Sequence, residues 1–131
     1  MALSSSERLG LRIGILGADL LWRSRVAAAL GEAGAELKQV GPGPLPPGLD
    51  LLLVDLNRDP GERLQRLTGL LSAAPKLEVV CYGPHAQMAG LSPEARRRGA
   101  RRCVANSQLQ HTLRRFAESR RGLTPYPEGA A

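Results

Sequence analysis

Apolar residues along this chain alternate between short runs and stripes spaced by three or four positions. Residues 11–16, Leu-Arg-Ile-Gly-Ile-Leu, form the first run between Gly10 and Gly17, short enough for a strand buried on both faces. After Gly17-Ala18-Asp19, the residues Trp22, Val26, Leu30 and Ala33 place one apolar stripe on a helix, with Arg23, Arg25 and Glu32 off it. Gly34 stops that helix. Residues 36–40 make a weak second strand. Asp50-Leu-Leu-Leu-Val-Asp55 is the clearest buried strand and ends in a carboxylate. Residues 77–82 and 102–105 supply a fourth and a fifth.

The remaining helices are marked by their ends. Asp59-Pro60-Gly61-Glu62 combines an N-cap, a first-turn proline and a returning carboxylate. The helix that follows buries Leu64, Leu67, Leu71 and Ala74 and ends at Pro75. Ser92-Pro93-Glu94 opens a short helix through Arg98, which Gly99 closes. Ser107 and Gln110 form a capping box for a last helix whose Leu109, Leu113 and Phe116 face inward. Between the second and third strands, residues 41–48 read Gly-Pro-Gly-Pro-Leu-Pro-Pro-Gly, where no helix forms because proline removes donors and glycine loosens the backbone. An extended proline-rich stretch of nine residues reaches about 28 Å at roughly 3.1 Å per residue. Returning past a strand and across two strand spacings requires about 20 Å, so the loop replaces a crossover helix.

Strands alternating with helices predict an α/β architecture with right-handed crossovers. The expected form is a flavodoxin-like, doubly wound, parallel five-stranded sheet of order 2-1-3-4-5, its second helix replaced by the Pro/Gly loop. A length of 131 residues accommodates one core. The expected division is a flexible N-terminus at 1–10, the domain at 11–121 and a flexible C-terminal tail at 122–131. In this fold the crevice lies at the carboxyl ends of the first and third strands, where Asp19 and Asp55 should meet. No leader-like h-region and no membrane-length apolar run is present, which predicts a cytoplasmic protein with no membrane partner.

The segment Leu-Leu-Leu-Val-Asp55-Leu-Asn57-Arg-Asp-Pro60-Gly61, with Gly99-Ala100 ahead of the fifth strand, resembles the response-regulator receiver family over residues 11–120. The resemblance makes Asp55 the equivalent of the phosphoacceptor. It also implies an acidic pair after the first strand that holds magnesium, a hydroxyl residue after the fourth and a lysine after the fifth. These supply the charge neutralisation that phosphoryl transfer to a carboxylate requires. Here Gly17 and Ala18 stand where the acidic pair is expected, with Asp19 one place later. The hydroxyl position falls on Tyr82 or Gly83, and the lysine position is Asn106, followed by Ser107. The family pattern is therefore depleted, and the expectation is a pseudo-receiver with no metal, no cofactor, no catalytic residue and no appreciable phosphorylation of Asp55.

Candidate crevice residues are Asp19, Asn57, Gly83, His85 and Asn106 around Asp55. Four of these also have a plainer role. Asp55 can cap a loop or pair with an arginine, Asp19 can be an N-cap, Asn57 can be a turn residue and His85 can sit on a solvent-facing loop. Trp22 fits the core, and His111 has no partner that the sequence identifies. Cys81 and Cys103 each lie in a strand-like run and read as small hydrophobes, since neither a disulfide framework nor closely spaced zinc ligands are present.

Charge sharpens the functional reading. The net charge is +6, yet residues 94–121 carry nine arginines against two glutamates. Such a field attracts acidic protein, nucleic acid or an anionic surface, while an arginine-rich solvated face is the plain alternative. In receivers the fourth helix, fifth strand and last helix commonly form the output surface, and this is the basic segment. The resemblance thus implies a signalling or regulatory module, not an enzyme, that docks an acidic protein partner through Arg97, Arg101, Arg114, Arg115, Arg120 and Arg121. A homodimer is compatible with this reading. Nucleic-acid binding is the weaker alternative, because aromatics make up only 3% of the chain and no helix-turn-helix is evident. A small nucleotide-binding Rossmann-like domain is the other: Gly14-Ile-Leu-Gly17 is similar to a dinucleotide loop, but the third glycine and the acid closing the second strand are missing.

Overall fold

Each apolar run becomes a strand because the sheet that results is covered on both faces, so consecutive residues find apolar surroundings on either side. The computed structural model describes residues 10–31 and 34–120. Its elements in chain order are β1 (Arg12–Leu16), α1 (Leu20–Gly31), β2 (Glu36–Gln39), β3 (Leu51–Asp55), α2 (Pro60–Ala73), β4 (Val79–Gly83), α3 (His85–Arg97), β5 (Arg102–Ala105) and α4 (Leu109–Arg120). The five strands are all parallel, in the order β2-β1-β3-β4-β5, the expected doubly wound arrangement.

Side chains alternate between the two faces with the period of two that a strand imposes. Ile13, Ile15, Leu51, Leu53, Val80, Tyr82 and Val104 pack with Val26 and Leu30 of α1 and Leu109, Leu113 and Phe116 of α4. Leu16, Leu52, Val54, Val79, Cys81 and Cys103 pack with Leu64, Leu67 and Leu70 of α2 and Met88 and Ala95 of α3. A fully buried leucine of this kind contributes about 1.5–3 kcal/mol, so the central strands, whose leucines and valines are entirely enclosed, anchor the fold. Trp22 is half-buried against the first of these cores.

No helix separates β2 from β3. The Pro/Gly loop crosses instead, and Arg66 of α2 holds it by donating from one guanidinium nitrogen to the carbonyls of Gly41 and Gly43 at 2.8 and 2.6 Å. Leu45 of the loop packs against the α2/α3 core.

Several local expectations are corrected. The third helix begins at His85, not Ser92, and runs through Pro93. Ser92 does not cap it: its hydroxyl donates back to the Met88 carbonyl at 2.5 Å, and burial of Met88 and Ala95 outweighs the backbone bond that Pro93 forfeits. His85 is therefore an exposed first-turn helical residue, not a loop residue. On α2 Leu64 and Leu67 are buried as expected, and Leu70 joins them in place of Leu71, which is half-buried like Ala74 just past the helix, because the leucine stripe follows a spacing of three. Asp59 occupies the N-cap position with a left-handed backbone (φ 47°) and makes no side-chain cap bond. The segment Asn106–Gln108 is a 3-10 turn and α4 begins at Leu109, so Ser107 lies within the turn and not at the N-cap position expected for the last helix. Of the expected termini, residues 1–9 and 122–131 lie outside the described residues, as do Glu32, Ala33 and Arg121.

Candidate functional site

The pairing of β3 with β4 sets Asp55 opposite Tyr82. Both residues share the strand parity that faces α1 and α4, so their side chains leave the sheet side by side. The Tyr82 hydroxyl donates to Asp55 Oδ2 at 2.9 Å. The other carboxylate oxygen, Oδ1, accepts from the Asn57 backbone N–H at 2.7 Å and from Asn57 Nδ2 at 3.0 Å. Asn57 is tied in turn to Asn106, at the end of β5, by a reciprocal amide pair of 3.1 and 2.8 Å. Four side chains from the ends of three strands thus form one connected network in which both oxygens of a buried carboxylate have intrachain donors.

The Tyr82 phenol is held well above its ordinary range, first by burial and then by the Asp55 charge, its hydrogen bond and the Asp19 charge. It stays a neutral donor. The Trp22 ring lies 5.3 Å from the Tyr82 ring, tilted at 51°, and closes the network from the α1 side. Asp19 is exposed and acts as an N-cap, its Oδ1 accepting from the Trp22 N–H at 3.0 Å. It contributes field to Tyr82 without bonding to Asp55.

At the end of β1 the backbone of Gly17 is left-handed (φ +86°), and a Cβ there would lie 2.0 Å from Arg63 Nε. The Arg63 guanidinium of α2 reaches over this glycine, 3.5 Å from its carbonyl oxygen. A cation accordingly lies against the backbone where the family pattern has its first acid. Beside it, Gln39, Gly41, Arg63 and Arg66 line an open cleft of about 780 Å³. Gly83 is a packing position: a Cβ there would meet Met88 Sδ at 2.9 Å.

Among the sequence candidates, the structure brings together Asp55, Asn57 and Asn106. His85 makes no bond to this network. Tyr82, which the family pattern placed only at an alternative position, is its second partner, and Arg63 was not anticipated. Among the arginines, Arg97 and Arg98 bind Glu94 and hold its carboxyl below the usual range. Arg101 lies 3.8 Å from Glu78. Arg114 and Arg120 are exposed on α4, the latter stacked over Phe116 at 5.0 Å, and Arg115 is half-buried.

The magnesium that a receiver crevice implies is a poor fit to these residues. Such an ion takes a near-octahedral oxygen shell rich in carboxylate. Both Asp55 oxygens already accept intrachain bonds, Gly17 and Ala18 bring no side-chain ligand, and Asp19 is committed to its helix. Among the described residues no three His, Cys, Asp or Glu side chains converge. No helix there is long and apolar enough to cross a membrane.

No protein-family model matches the chain, and no curated protein matches its sequence. Solved structures do resemble it. A CheY-like protein (tadZ) from Pseudomonas aeruginosa superposes with a TM-score of 0.69 at 20% identity, covering 88% of this chain and 96% of the other. A response regulator receiver protein from Pseudoalteromonas atlantica gives 0.69 at 9% identity, covering 85% and 97%. A putative pilus assembly protein (cpaE) from Burkholderia thailandensis gives 0.63 at 21% identity, covering 83% and 98%. Identities this low carry architecture alone, and that architecture is the response-regulator receiver fold.

Proposed function

We propose that this chain is a receiver-like regulatory module that works by docking a protein partner, with no acyl-phosphate chemistry at Asp55. The observation that carries the reading is the double engagement of the Asp55 carboxylate by Tyr82 and Asn57. An attacking carboxylate requires an available oxygen in line with phosphorus and cations beside the developing charge. Here the neighbours are a neutral phenol and two neutral amides. The network supports a crevice kept in one arrangement, the state in which a surface, rather than a reaction, carries function. Solved proteins with this architecture are described both as response-regulator receivers and as pilus-assembly proteins, which suits a module defined by what its surface meets.

The docking face that fits is the β5 edge with the adjoining ends of α3 and α4, and its basic charge selects an acidic partner. Exposed Arg114 and Arg120 are the leading contacts, while Arg97 and Arg101 carry intrachain acids that reduce their pull. Asp55, Asn57 and Asn106 act in holding the crevice.

The crevice reading is tested by intact-mass measurement after incubation with magnesium and acetyl phosphate. The expected spectrum is unchanged. A magnesium-dependent phosphoryl adduct that disappears in Asp55→Asn would overturn it. Partner capture that is the same with and without beryllofluoride supports constitutive docking, and capture that appears only with beryllofluoride favours a phosphate switch.

A further inference from the structure

Cys81 and Cys103 take no part in the crevice network, yet the sheet sets them against each other. In the parallel pairing of β4 with β5, Cys81 is the direct partner of Cys103. Both belong to the alternating set that faces α2 and α3, so their side chains leave the sheet on the same side. Neighbouring strands lie about 4.8 Å apart, inside the roughly 4.4–6.8 Å between Cα atoms that a disulfide spans. Both are free thiols, and Cys103 Sγ lies 3.9 Å from the Ser92 carbonyl oxygen of α3.

We propose that Cys103 and Cys81 are a two-thiol oxidation site whose oxidant is hydrogen peroxide and whose product is an intrachain disulfide between β4 and β5.

The two sulfurs are not equivalent, and the fold assigns their order. Cys103 lies on an edge strand and retains 5% exposure, while Cys81 lies on an inner strand with none. The adjacent Cys81 thiol, then Ser92 and the positive charge of Arg96, hold the Cys103 thiol below its ordinary range, whereas the Cys103 neighbour and burial push Cys81 up. Cys103 is the nucleophile. Its thiolate attacks the peroxide oxygen, the O–O bond breaks, hydroxide leaves, and a sulfenic acid forms on Cys103. The Cys81 sulfur then attacks the Cys103 sulfur and displaces that hydroxyl, which departs as water with the Cys81 proton. Two thiols are oxidised and one peroxide is reduced to two waters.

Access comes through α3, which covers Cys103. Pro93 lies inside that helix and offers no N–H to the Ala89 carbonyl, and the adjacent Ser92 hydroxyl turns back to Met88. The turn above Cys103 therefore lacks a backbone bond, and such segments open at low free energy. Oxidation would join the two strands whose ends carry Tyr82 and Asn106, linking the thiol pair to the crevice network.

The test exposes the reduced full chain to hydrogen peroxide, blocks remaining thiols with iodoacetamide in denaturant, and measures intact and peptide masses. The expected product is a monomer lighter by two hydrogens, with Cys81 and Cys103 peptides joined and released by dithiothreitol. Full alkylation of both cysteines, irreversible sulfinic acid in place of the disulfide, or cross-linked dimers alone would overturn the proposal. This measurement uses the unaltered chain and does not depend on a variant folding. The order of attack is read with dimedone: Cys81→Ala should accumulate sulfenic acid at Cys103, and Cys103→Ala should leave Cys81 unlabelled. Equal labelling of Cys81 in the second variant would refute the assigned roles.

Discussion

Tyr82 sets the character of the crevice at the scale of one residue. Its ring is fully enclosed, and its hydroxyl is the donor on Asp55 Oδ2. Replacing it by phenylalanine keeps the ring and leaves a buried carboxylate oxygen without that donor, which costs about 1–3 kcal/mol. The urea midpoint of Tyr82→Phe should fall accordingly, and an unchanged midpoint would mean that water replaces the hydroxyl without loss. A pH dependence follows from the same group. Burial, then the Asp55 charge and hydrogen bond, raise the phenol in the folded state, while an unfolded tyrosine titrates near about 10. Below that value both states hold the proton and the stabilisation is complete. Above it only the folded state does, so stability falls with rising pH. Urea midpoints compared at about pH 8 and about pH 10.5 should drop in the native protein and drop less in Tyr82→Phe. Equal slopes in the two proteins would assign alkaline sensitivity to other groups.

At the scale of elements, the notable substitution is a loop for a helix between β2 and β3. Arg66 carries much of that exchange by binding the carbonyls of Gly41 and Gly43, which no neighbouring helix turn is present to satisfy. Arg66→Ala should lower stability by only about 1 kcal/mol, since charged hydrogen bonds at an exposed site are weakened by water. Its clearer signature is local: thermolysin should cut before Leu49 several-fold faster than in the native chain, and an unchanged rate would show that the prolines alone hold the loop. Elements of this kind differ in how far the sequence reveals them. β3 and β4 were legible because strands buried on both faces are written as unbroken apolar runs. The start of α3 was not, because Ser92-Pro93 has the form of a helix opening and only the packing of Met88 and Ala95 shows that it is interior. Asp55 stood out at the end of its strand. Its bond to Tyr82 and the Asn57–Asn106 pair, 49 positions apart, depend on how β3, β4 and β5 align, which local pattern does not encode. The pairing of Cys81 with Cys103 was hidden for the same reason.

For the molecule as a whole, the sheet separates the basic helices: α3 packs on one face and α4 on the other, with β5 at the edge of the sheet. A rim of this form acts at short range, because at physiological salt the field decays over about 8 Å. It favours a partner that wraps the edge over one drawn from a distance. Reversing exposed Arg114 and Arg120 to glutamate should leave the fold nearly intact. Surface changes usually stay within about 0.5 kcal/mol, and losing the stacking of Arg120 on Phe116 adds about 0.5–1 kcal/mol. Binding should respond far more. With a labelled poly-glutamate peptide as probe, fluorescence anisotropy at low salt should show association with the native chain and none with the doubly reversed variant, and raised salt should abolish the native signal. Parallel titration with duplex DNA discriminates between partners. A nucleic-acid reader would bind the duplex more tightly than the peptide, with affinity falling steeply against salt as counterions are released. A protein-docking rim would bind the duplex weakly and keep its preference for the acidic chain, and DNA winning that comparison would move the rim from protein docking to nucleic-acid binding.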